Sequence, residues 1–135
     1  MPFEDKMNPT SNPAPQRKAM IIDDDKDRYR RKERTTLLKE AGFKVYPVLR
    51  MPDARGRCKP GAFELIVVNA TENANHALEL CDDIKKRNQN QRLFLVAGAN
   101  AALPNRDYIV SSWEELRKKM TSAGITEEKG ELVAA

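Results

Sequence analysis

A chain of 135 residues is long enough for one domain with a modest core. Its 24 lysines and arginines against 20 aspartates and glutamates leave a formal net charge of +4. The two signs are interspersed, which reads as a solvated mixed-charge surface rather than the clustered basic footprint of a nucleic-acid binder. Cys58 and Cys81 fit no metal spacing and no disulfide framework, so reduced thiols in a cytoplasmic protein are expected. No apolar run is long enough to span a bilayer, and the opening MPFEDKMNP lacks the apolar core of a signal peptide.

In chain order, residues 1–17 carry Pro2, Pro9, Pro13 and Pro15 among Asn, Ser and Thr, the composition of a disordered leader. Lys18–Asp23 reads as a first strand. Its apolar run, Ala19–Ile22, ends abruptly in Asp23, Asp24 and Asp25, which places acids at the carboxyl end of a buried strand. Asp27–Ala41 reads as a helix, with Asp25 or Asp27 as cap and Gly42 as stop. Tyr29, Glu33, Thr36, Leu37 and Ala41 share one side and form a weak core stripe. Arg28, Arg30, Arg31, Lys32 and Arg34 crowd the helix's first half, where cations oppose the macrodipole. They read as a solvated face or, alternatively, as a docking surface for an acidic partner.

Phe43–Leu49 is a second strand, placed at the sheet edge because Pro47 cannot donate to a ladder. Pro52, Gly56, Pro60 and Gly61 leave room for one short helix, around Asp53–Cys58. Phe63–Asn69 is the clearest buried strand: Leu65, Ile66, Val67 and Val68 are continuous and largely β-branched. Asn73–Arg87 is the best helix, with Ala74, Ala77, Leu78, Cys81 and Ile84 at helical spacing and a basic C-terminus. His76 falls on its polar side, a surface residue.

Arg92–Val96 is a fourth strand and Asp107–Val110 a fifth, with too few residues between them for a full crossover helix. Ser112 and Glu115 form a capping box opening a last helix, Trp113–Met120, with Leu116 and Met120 inward. Trp113 reads as a hydrophobic staple onto that helix. Thr121–Ala135 is aperiodic and reads as a flexible tail, which leaves residues 18–120 as the domain. Strands alternating with helices, and an edge position for the second strand, imply a parallel sheet of order 2-1-3-4-5.

MIIDDDKD, LLKEAGFKV, ALELCDDIKKRN and DYIVSSWEEL, in this order and together with FELIVVN, resemble the receiver domain of bacterial two-component response regulators. The resemblance covers Lys18–Met120. It implies a flavodoxin-like, three-layer αβα sandwich with a five-stranded parallel sheet and, here, reduced second and fourth helices. It also implies a signalling role without enzymatic activity, in which five positions carry the family's phosphate chemistry. The acidic pair that helps hold Mg²⁺ matches Asp23 and Asp24. The phosphoacceptor aspartate falls on Asn69, the Thr/Ser switch position on Ala97, the lysine on Ser111 and the aromatic switch on Tyr108.

A carboxylate attacks phosphorus because it carries charge, and the neutral Asn69 amide is a poor nucleophile. Ser111 supplies no fixed cation for a phosphoryl group, and Ala97 has no hydroxyl to hydrogen-bond it. The resemblance therefore implies a degenerate pseudo-receiver: a stand-alone module acting by protein contact in a signalling pathway, monomeric or weakly dimeric. It would need no cofactor and bind Mg²⁺ weakly at most, with no membrane or nucleic-acid partner. Two alternatives stand beside this reading: a phosphorelay receiver using Asp24 or Asp25, and a nucleic-acid or anion binder using the basic first helix. No glycine-rich phosphate loop follows the first strand, which disfavours a nucleotide or flavin enzyme.

Overall fold

A computed structural model describes residues 17–70, 74–98, 103–104 and 106–125. Its strands are β1 (Arg17–Ile22), β2 (Phe43–Val48), β3 (Leu65–Asn69), β4 (Arg92–Val96) and β5 (Ile109–Val110). They pair in parallel as a five-stranded sheet of order 2-1-3-4-5. The helices are α1 (Arg28–Glu40), α2 (Met51–Arg55), α3 (Ala74–Arg87) and α4 (Trp113–Ser122). This is the flavodoxin-like, doubly wound arrangement the sequence predicts, with ligand chemistry expected at the carboxyl edge beside the β1/β3 switch point.

Two cores flank the sheet. On one side Leu38 of α1 and Leu116 and Met120 of α4 pack on Ala19, Ile21, Leu65, Val67 and Val96. On the other, Ala54 of α2 and Ala77, Leu80, Cys81 and Ile84 of α3 pack on Met20, Ile22, Ile66, Val68 and Leu95. The alternation explains the unbroken apolar run in β3: successive side chains enter opposite cores, and each fully buried Val, Leu or Ile contributes about 1.5–3 kcal/mol. Cys58 and Cys81 are buried free thiols, and burial pushes both up from the ordinary thiol range.

Several boundaries move. Arg17 belongs to β1, pairing opposite Phe43, with its guanidinium on Glu64; the rest of the expected leader lies outside the described residues, as does Asn73. The short second helix starts earlier, at Met51. Asp107 and Tyr108 form a turn, leaving β5 only two residues. No helix lies between β4 and β5 among the described residues.

The largest correction is at the expected tail. Helix α4 continues to Ser122 and ends in a Schellman cap: the Ile125 N–H donates to Met120 O at 2.8 Å and the Gly124 N–H to Thr121 O at 3.0 Å. Gly124 takes φ 76°, the left-handed conformation that glycine adopts without penalty. Ile125 is then buried against the same core as Met120. Residues 126–135 lie outside the described residues.

Candidate functional site

Register brings the chemistry-bearing positions to one edge. Ile22 lies beside Val68, so Asp23 follows next to Asn69; Val96 lies beside Val110, so Ala97 follows next to Ser111. The Asp23 N–H donates to Val48 O at 2.9 Å and the Ala97 N–H to Val110 O at 3.0 Å, which carries the ladder past the last paired residues.

The first half of this edge is an acid corner. Asp23 is 3% exposed and Asn69 fully buried. The Asn69 amide Nδ2 donates to Asp23 Oδ1 at 3.0 Å, the contact that a carboxylate at position 69 would turn into repulsion. The same oxygen accepts the Asp25 N–H at 3.1 Å. Asp25 Oδ1 accepts the Asp27 N–H at 2.8 Å, and Asp27 in turn caps α1 by accepting the Tyr29 N–H at 2.9 Å. These successive Asx turns convert the Asp23–Asp27 stretch into a ladder of carboxylates satisfying backbone donors.

Into this corner α1 sends Arg34. Its Nη1 lies 3.0 Å from Asp23 Oδ2 and 3.0 Å from Asp25 Oδ2, with a third contact of 3.1 Å to Asp23 Oδ1. The Arg34 side chain retains only 14% of its exposure. The Trp113 ring lies against its guanidinium, 5.3 Å from the central carbon to the ring centroid, a cation–π distance. Arg31 of the same helix donates to the Asp25 carbonyl, and Arg30 reaches Asp25 at 3.8 Å. The Asp27 amide, then Arg34 and Arg30, hold the Asp25 carboxyl below the ordinary carboxylate range against the opposing effect of burial.

The second half is a switch corner with different wiring. Tyr108 is buried against the α3 side of the sheet, together with Ala97. Its hydroxyl donates to Asp82 Oδ1 of α3 at 2.6 Å, and Arg106 reaches the same oxygen at 3.7 Å. Burial first, and Asp82 second, push the Tyr108 phenol well above its ordinary range. Ser111 is exposed, and its N–H and hydroxyl both donate to Glu115 Oε1, at 2.5 and 2.7 Å. The capping box is therefore shifted. Ser112 Oγ accepts the Glu115 N–H at 3.0 Å as expected, but the glutamate reaches back to Ser111 rather than to Ser112. These Ser111 donors hold the Glu115 carboxyl below its ordinary range.

The structure thus keeps the sequence-derived positions at one edge but redistributes their partners. Arg34 bridges Asp23 to Asp25, whereas the sequence paired Asp23 with Asp24, which is half-buried. Arg34 leaves the row of docking cations for the interior; Arg28 and Arg30 remain exposed and Arg31 half-buried. Trp113 serves as a lid on a guanidinium and a flank of the α1/α4 core, not as a staple. The predicted core stripe of α1 is corrected as well. Leu38 is its buried residue, Leu37 and Ala41 pack at the margin, and Tyr29 stands 82% exposed. Tyr29, Leu37 and Arg117 of α4 line a shallow groove of about 390 Å³. His76 is exposed, as expected. Sequence reasoning missed two partners, Arg34 for the acids and Asp82 for Tyr108. The spacing of Arg34 and Leu38, one helical turn apart, is the signal that they share an inward face.

The chain is similar to the crystal structure of histidine kinase ThkA in complex with response regulator protein TrrA. The match has a TM-score of 0.61 at 16% identity and covers 78% of this chain and 97% of the matched one. The fold is that of a receiver domain. No protein-family model and no curated protein sequence matches the chain. No helix among the described residues is long and apolar enough to cross a membrane.

Proposed function

We propose that this chain is a receiver-like signalling module that works by protein contact and is not phosphorylated. The observation that carries the reading is Asn69 at the carboxyl end of β3, buried and donating its amide to Asp23 where the family has a nucleophilic carboxylate. An amide nitrogen turned to the acid has no lone pair to offer phosphorus, and the oxygen of a neutral amide is a weak nucleophile. The other two losses agree. Ala97 brings no hydroxyl, and the Ser111 hydroxyl is engaged by Glu115. Tyr108, tied to Asp82, has no hydroxyl partner at position 97 to report.

The phosphorelay alternative would need Asp24 or Asp25 as acceptor. Asp25 is ill suited, since it is held by Arg34 and by the Asp27 N–H, which leaves the half-buried Asp24 as its candidate. The nucleic-acid alternative loses ground because Arg34 faces inward and Arg30 spends its charge on Asp25 and Asp27. The solved neighbour pairs a histidine kinase with a response regulator, and by analogy a signalling protein is the partner class for this chain. The exposed part of α1, with Arg28 on the helix surface and Tyr29 and Lys32 in the α1/α4 groove, is the face proposed to meet it. A cytoplasmic monomer or weak homodimer, needing no cofactor, fits this role.

Incubating the full chain with radiolabelled acetyl phosphate and Mg²⁺ tests the reading. No hydroxylamine-sensitive label should accumulate on the wild-type protein. Label approaching one phosphoryl group per chain would replace this reading with the phosphorelay one, and mapping would name the acid used.

A further inference from the structure

Receiver chemistry, as the resemblance implies it, places a divalent cation among acids at the carboxyl ends of the first and third strands. The residues present do not fit such an ion. Arg34 Nη1 already sits within 3.0–3.1 Å of three carboxylate oxygens from Asp23 and Asp25. Mg²⁺ requires octahedral oxygen ligation at about 2.0–2.1 Å and keeps several waters, but the Trp113 ring closes over the guanidinium at 5.3 Å. The third anionic ligand is gone, because position 69 is an amide whose nitrogen faces Asp23. Among the described residues no group of three or more His, Cys, Asp or Glu side chains gathers to hold a metal ion.

The charges explain why these features occur together. Three carboxylates suit a divalent ion. Two carboxylates that also accept the backbone N–H groups of Asp25 and Asp27 suit a bridging guanidinium, with Arg30 as a second cation 3.8 Å from Asp25. A guanidinium supplies its charge with directional donors and is more weakly hydrated than an ammonium, so it tolerates burial better. It is also covalently attached. Asp27 caps the helix that carries it, and Leu38, one turn further on, anchors that helix in the core, so the cation is always present at high effective concentration.

We propose that Arg34 is a tethered cation that has taken over the metal position: it bridges Asp23 and Asp25 permanently, Trp113 seals it in, and the corner admits a divalent ion only when Arg34 is removed. This deepens the phosphorylation-independent reading above and adds a property that reading does not require, a latent divalent-cation site closed by one side chain.

Trp113 is the only tryptophan in the chain, so its emission reports on this corner alone. Full-length wild type, Arg34→Met and Arg34→Lys are titrated with MgCl₂ at constant ionic strength. Wild type and Arg34→Lys should show no saturable change in the millimolar range. Arg34→Met should saturate, with an apparent affinity about tenfold or more tighter, because an occluding group seated in all but about a tenth of molecules weakens binding by that factor. Adding Asp25→Asn to Arg34→Met should abolish the response.

Saturable binding to wild type at the affinity of Arg34→Met overturns the proposal, as does a folded Arg34→Met that gains no binding. Should Arg34→Met fail to fold, side-chain ¹⁵N spectra of wild type decide. The Arg34 guanidinium should show hindered rotation that Mg²⁺ leaves unchanged, and its release by Mg²⁺ overturns the proposal. Wild type that binds Mg²⁺ yet takes no label from acetyl phosphate removes the tethered cation and leaves the phosphorylation-independent reading standing. Label on wild type removes the phosphorylation-independent reading instead.

Discussion

The acid corner and the switch corner lie along the same sheet edge and both differ from the residue set that the receiver resemblance calls for, but in opposite ways. At the acid corner the partners are interior ones: Asn69 donates to Asp23, and Arg34 bridges Asp23 to Asp25 under Trp113. At the switch corner the groups have separate partners, Ser111 the nearby Glu115 at the surface and Tyr108 the distant Asp82 on α3. The first corner has become a structural ion-pair network. The second consists of two separate contacts, one at the surface and one between a buried phenol and the half-buried Asp82. Buried charges are expensive to leave unpaired and exposed ones are not, so the two corners should respond very differently to the loss of one side chain.

The largest expected effect follows from that contrast. Arg34→Ala leaves two buried carboxylates without their cation and should destabilise the fold by about 3–5 kcal/mol. Tyr108→Phe removes one hydroxyl from Asp82, which keeps Arg106 nearby, and should cost about 1–2 kcal/mol. Urea denaturation at neutral pH gives both numbers. Equal losses for the two variants would erase the distinction between the corners. A loss of under about 1 kcal/mol for Arg34→Ala would mean that water already solvates the acids.

How much of this was legible in the sequence depends on which physical signal was available. The sheet was readable because β3 is apolar on both faces and Pro47 marks an edge, patterns that burial and ladder chemistry impose directly. Asn69 at the end of β3 was readable for the same reason, and its hydrogen bond to Asp23 follows from strand register. Arg34 was not readable. Apolar periodicity locates a helix's inward face, and α1 puts an arginine on that face one turn before Leu38. A stripe sought among apolar residues therefore rotated toward Tyr29 and Leu37, on the solvent side of the true face. The tail failed differently: Gly124–Ile125 is a Schellman signature of local turn chemistry, which a search for periodicity passes over.

The corners should also separate in pH. The folded Asp25 pKa lies below its ordinary value. Its contribution is therefore complete above the unfolded carboxylate value, about 3.9, and is lost as pH falls through the folded value. The folded Tyr108 pKa lies above its ordinary value, so its contribution is complete below the unfolded value of about 10 and is lost as pH rises through the folded one. The stability gap between wild type and Asp25→Asn should shrink only on the acid side, and the gap to Tyr108→Phe only on the alkaline side. Buried Cys58 and Cys81 also titrate at high pH, but they are common to both proteins and cancel in the difference. An Asp25→Asn gap that stays constant down to about pH 2 would show that Asp25 is not held as an ion in the fold.

The smallest expected effect is Ser111→Lys, and its smallness is the point. Position 111 is exposed, and its N–H to Glu115 survives any substitution except proline. An ammonium there has Glu115 beside it, so stability should change by no more than about 0.5 kcal/mol. The substitution restores the cation the receiver resemblance calls for, yet a restored lysine acts only if the rest of the site is open. In an Asn69→Asp background, a carboxylate oxygen can attack the phosphorus of acetyl phosphate, forming an acyl phosphate and releasing acetate. The divalent ion that the receiver resemblance implies for that attack would have to enter the acid corner, where Arg34 sits. Adding Ser111→Lys to Asn69→Asp should therefore raise the labelling rate little. Adding Arg34→Met to that pair should release the larger gain, up to the 10²–10³-fold typical of one preorganised electrostatic donor. Initial rates of hydroxylamine-sensitive labelling in Mg²⁺ measure both steps. If the double variant labels as fast as the triple one, Arg34 does not block the corner, and the proposed absence of phosphorylation rests on positions 69, 97 and 111 alone.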